Sequence, residues 1–113
     1  MDTKLATIIC SDVIGYSTLM QRDEAGTLAK LDACRAVIDP LIDRSKGRLF
    51  NTGGDSVLIE FASAVDAVRF GIEMQASILK LNNGMRWRVG MHVGEVWIYG
   101  TNLMGDAKLG CSL

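Results

Sequence analysis

Two acidic residues in this chain of 113 amino acids stand where carboxylates can do chemistry. Asp55 lies in FNTGGDSVLIEF, between an apolar approach and a strongly apolar run. Asp12 closes the apolar stretch LATIICSDV and is followed at once by VIGYS. Aspartate after Gly-Gly is ordinary hairpin composition, so a plain turn is one reading of Asp55. The other reading needs a partner, and Asp12 is the candidate. If the strand ending at Asp12 and the hairpin carrying Asp55 are neighbours, both carboxylates fall at one end of the sheet. Such a pair suits a hard divalent cation, which takes oxygen ligands and leaves positions for water and phosphate. Ile14, Gly15, Tyr16 and Ser17 open a helix, and their backbone amides would meet phosphate oxygens at its N-terminus. Gly15 permits close backbone approach.

The elements that must position these residues follow from periodicity. Leu5 to Val13 is apolar and rich in β-branched residues, the composition of a buried strand. Between Asp23 and Asp43, Leu28, Leu31, Cys34, Ile38 and Leu41 recur at helical spacing, with Asp23 as cap. Pro40 should kink or end that helix near its last turn. GRLFNT and SVLIEF flank the glycine turn as a β-hairpin. Ser63 to Asp66 is a capping-box pattern, and Val65, Val68, Ile72 and Leu79 form the expected inner face of the next helix. Asn82-Asn83-Gly84 stops it. MRWRVGMHV then alternates, with Met85, Trp87, Val89, Met91 and Val93 on one face. VWIYG is expected to be its hairpin neighbour, turned at Gly94-Glu95. The order strand, helix, hairpin, helix, hairpin makes this an α+β fold with a largely antiparallel sheet.

Composition narrows the function. A hydrophobic content of 49% marks a globular chain. The apolar runs are too short or too charged to span a bilayer, and without a basic n-region before an apolar core no signal peptide is expected. Three cysteines, odd in number and widely spaced, fit neither a disulfide framework nor a zinc site, so a cytoplasmic location is expected. A net charge of -1 argues against nucleic acid as a partner. A nucleotide stays possible because metal ions can supply positive charge.

CSDVIGYSTLMQRDEAGTLAKL, GRLFNTGGDSVLIEFASAVDAVRFGIEMQ and RWRVGMHVGEVWIYGTNLMGDA together resemble, in order and spacing, the class III adenylate/guanylate cyclase catalytic domain. The bacterial adenylate cyclase branch is the nearer likeness. The resemblance covers residues 1–107 as a partial catalytic domain, and 108–113 (KLGCSL) form a tail that departs from it. It implies a ferredoxin-like core working as a homodimer with active sites at the interface. It implies that Asp12 and Asp55, with the backbone carbonyl of Val13, bind two divalent cations, Mg²⁺ or Mn²⁺. It also implies a phosphorus-oxygen lyase that converts ATP to cyclic AMP, with GTP the other candidate substrate. Attached regulatory domains would belong to a longer protein.

Departures from the pattern matter as much. Asn51 and Asn102 fall on the base-reading positions, and an amide, which both donates and accepts, does not settle adenine against guanine. Glu95 stands where some members carry a phosphate-binding arginine. The asparagine and arginine that stabilise the transition state in the family have no counterpart here, so this chain is expected to turn over little or not at all. Two other readings stay open: a catalytically silent dimerisation or nucleotide-binding module, and a diguanylate cyclase, for which GGDSV supplies half a motif. His92, Arg86 and Arg88 read as strand residues, the two arginines on a polar face that could meet a partner chain.

Overall fold

The computed structural model describes residues 3–99 and 102–105, with the backbone alone at 51, 52, 96–99 and 102–105. Its elements are β1 (Thr3–Val13), α1 (Tyr16–Arg22), α2 (Glu24–Arg44), β2 (Arg48–Gly53), β3 (Ser56–Phe61), α3 (Ala64–Leu81), β4 (Trp87–Tyr99) and β5 (Asn102–Gly105). They form one five-stranded sheet in the order β2-β3-β1-β4-β5. Every pairing is antiparallel. The expected order of elements holds, and the helix start expected after Asp12 is α1, separate from α2.

Local signals explain most boundaries. Asp23 caps α2, its carboxylate accepting from the Gly26 amide at 3.0 Å. Ser63 caps α3, accepting from the Asp66 amide at 3.3 Å. Asn82 closes α3 in the left-handed region at φ 50°. The main core gathers Ile9, Ile38, Phe61, Phe70 and Met74 between the sheet and α2/α3. Phe61 and Phe70 meet there in a tilted ring pair, 5.4 Å between centroids. Ala6, Ile8, Cys10 and Leu58 form a smaller cluster on the other sheet face.

Helix α2 ends at Arg44, four residues after Pro40, as expected of a proline near its last turn. Proline removes one backbone donor there, and packing of Leu41 and Ile42, 1% and 3% exposed, holds the last turn. Three expectations need correction. Val65, Val68, Ile72 and Leu79 lie on the outer face of α3, between 46% and 79% exposed. Ala67, Phe70, Met74 and Ile78 face inward instead. Both stripes have helical spacing, and spacing does not fix which one meets the sheet. Gly94 and Glu95 are interior to β4, paired with Ala6 and Leu5, because β1 offers a long partner that overrides the turn composition. Of the cysteines, Cys34 is buried and free, whereas Cys10 is disulfide-bonded, since distance along the chain is not distance in the fold.

Candidate cation and nucleotide site

The first question, whether Asp12 and Asp55 share one end of the sheet, is settled by register. Ser11 pairs with Val57 and Gly53 with Ser56, so the end of β1 adjoins the β2–β3 turn. A left-handed Gly54, φ 57°, makes that turn and leads into Asp55. The Asp55 Oδ2 accepts a hydrogen bond from the Val13 amide at 2.9 Å, which ties the turn to the strand carrying Asp12. A Cβ built on Gly54 would stand 4.0 Å from Cε2 of Tyr16, so the start of α1 lies beside the same turn.

On its other side β1 pairs with β4, and Asp12 lies directly opposite Arg88. The guanidinium donates to both carboxylate oxygens, Nε to Oδ1 at 3.0 Å and Nη2 to Oδ2 at 2.9 Å. Those hydrogen bonds raise the Arg88 pKa above its ordinary value; the Asp12 charge adds to the rise, and the Asp55 charge adds a smaller part. One cationic group thus feels both carboxylates. From sequence, Arg88 is only one member of a polar strand face. Its link to Asp12 needed the β1–β4 register, which no local signal carries.

The phosphate-binding candidates divide. The Ile14 amide already donates to the Arg86 carbonyl at 2.8 Å. Gly15, at φ 70°, precedes α1, whose start has no side-chain cap. The amides of Gly15, Tyr16 and Ser17 therefore have no acceptor within that helix. Asn51 and Asn102 sit on β2 and β5, the two opposite edges of the sheet, and their side chains lie outside the described residues. The segment Asp106–Ala107 and the tail 108–113 also lie outside them.

Among the described residues, no group of three or more His, Cys, Asp or Glu side chains gathers to hold a metal. Two aspartates still fit a Mg²⁺-type ion, which is commonly held by one or two carboxylates with water and phosphate completing the shell. The Arg88 guanidinium, bound to both oxygens of Asp12, already supplies one positive charge there.

No protein-family model matches the chain. It is 37% identical over 110 residues to "Putative adenylate cyclase 3" of Rhizobium meliloti (strain 1021), covering 91% of this chain but 19% of that protein. It superposes on the crystal structure of an adenylate/guanylate cyclase/hydrolase from Silicibacter pomeroyi with a TM-score of 0.86 and 28% identity, covering 98% of this chain and 69% of that one. The guanylate cyclase domain of RhGC from Catenaria anguillulae, solved with GTP, shares the fold at a TM-score of 0.80 and 18% identity over 97% of this chain and 72% of its own. The fold is that of a nucleotidyl cyclase. The chain carries part of a class III adenylate/guanylate cyclase catalytic domain, as its motifs led one to expect.

Proposed function

We propose that this chain forms the cation-binding half of an adenylate cyclase active site, completed across a homodimer. The reaction proposed for the whole domain joins the ribose 3′-oxygen of ATP to the α-phosphorus and releases pyrophosphate. Asp12, Asp55 and the Val13 carbonyl would hold two divalent ions, which when bound supply Lewis acidity at the reacting oxygens. The Val13 amide keeps one Asp55 oxygen fixed, so the other can point outward from the turn. Amides of Gly15, Tyr16 and Ser17 would receive the triphosphate. Asn51 and Asn102 are proposed to read the base, each from a different sheet edge. The observation that most supports the reading is the convergence of both aspartates on one sheet end.

A second reading, a regulatory cyclase-like module that binds no cation, draws on one fact. Both oxygens of Asp12 are already engaged by Arg88. Calorimetric titration with Mn²⁺-ATP and Mn²⁺-GTP separates the two readings. The cyclase reading expects ATP to bind more tightly than GTP and expects Asp12→Asn and Asp55→Asn each to lose roughly tenfold or more in affinity. A folded parent that binds neither complex hands the lead to the silent module.

A further inference from the structure

Among the described residues at this site, Arg88 is the one that the proposed mechanism leaves without a task. It is fixed by backbone pairing opposite Asp12, and its planar fork takes both oxygens of that carboxylate. A hard cation would seek the same two oxygens. The two partners are unequal: the Arg88 side chain is 57% exposed and that of Asp12 only 26%. The guanidinium therefore has solvent to swing into, while the carboxylate is held at the sheet end.

We propose that Arg88 is the resident counter-ion of Asp12, and that a divalent cation takes Asp12 by displacing it. This rests on the two-aspartate reading above. The exchange has two consequences. Without a metal, Arg88 keeps Asp12 neutralised and oriented, which spares the fold two unbalanced carboxylates at one end. With a metal, the cation must outcompete a bidentate pair, so the site binds more weakly than the bare carboxylates would. Exposed ion pairs are modest, so the competition is a matter of a few-fold in affinity.

Manganese titration followed by electron paramagnetic resonance tests this on the parent chain and on Arg88→Gln, Arg88→Lys and Arg86→Gln. Arg88→Gln should tighten Mn²⁺ binding by about three-fold or more. Arg88→Lys, which keeps the charge and loses the fork, should fall between Gln and the parent. Arg86→Gln removes the same charge two residues away and should change binding less. Unchanged or weaker binding in Arg88→Gln, with the parent still binding, overturns the proposal and leaves the metal site standing. Equal tightening by Arg86→Gln also overturns it, in favour of diffuse charge. If the parent and all three variants bind no Mn²⁺, the two-aspartate reading falls and takes this proposal with it. Should Arg88→Gln fail to fold, the parent alone decides. Its Arg88 Nε–Hε resonance should move on Mg²⁺ titration and saturate with the site, and a resonance that stays put is contrary.

Discussion

Ile9 and Met91 face each other across β1 and β4 on the helix side of the sheet, yet Ile9 is 1% exposed and Met91 49%. The same contrast divides the whole face. Over β3, Val57, Ile59 and Phe61 are fully buried. Over β4, Met91 and Val93 stand half open, and beside them Val68 and Ile72 of α3 line an apolar groove of about 480 Å³. Both regions have the alternation of a buried strand. What separates them is whether a helix lies on top, and alternation carries no information about that. The cation-binding candidates Asp12 and Asp55 belong to neither region. They project from the end of the sheet, where backbone register rather than burial sets their places.

This division can be broken most forcefully at Phe70, which is fully buried against Phe61. Phe70→Ala should cost about 3–5 kcal/mol in urea unfolding, and a cost below about 1 would mean the covered half is not the main core. The cross-strand pair sharpens the contrast. Ile9→Ala should cost about 2–5 kcal/mol, and Met91→Ala a clearly smaller amount. Equal costs would erase the distinction between the halves. Ile72→Ser, on the open side of α3 at 66% exposure, should stay within about 0.5 kcal/mol of the parent.

A further effect falls on the other sheet face, where Glu60 is 7% exposed and paired with Lys4 and Arg48. Burial alone would push its carboxyl pKa up, but the hydrogen bonds from Lys4 and Arg48, with their charges, hold it below the ordinary carboxylate value. A depressed native value means the stabilisation is complete above the ordinary Glu range and is lost as pH falls through the native value. Glu60→Gln should therefore flatten the acid limb of the stability-pH curve, as followed by thermal melts from neutral to acidic pH. An unchanged acid limb would assign the loss to other carboxylates.

Much of this was legible in the sequence, and the failures share a cause. Strand β1, the glycine hairpin and the caps at Asp23 and Ser63 rest on short-range chemistry, which the chain states locally. The inner face of α3, the continuity of β4 through Gly94 and the engagement of Asp12 by Arg88 depend on partners far along the chain. The placement of Asp12 and Asp55 at one end of the sheet was legible because a strand end and an adjacent hairpin turn leave few geometries. The Ile14 amide was less predictable, since its acceptor, Arg86, lies 72 positions on by residue number.

The central claim is that Asp12 and Asp55 act together as one cation-binding centre. A double-mutant cycle on Mn²⁺ affinity, with Asp12→Asn, Asp55→Asn and the pair, tests it most directly. A single shared site predicts that either substitution removes most of the binding and that the second adds little. If the two losses are independent, or if one aspartate can be replaced without effect, the carboxylates do not act together and Asp55 is only the residue of a turn.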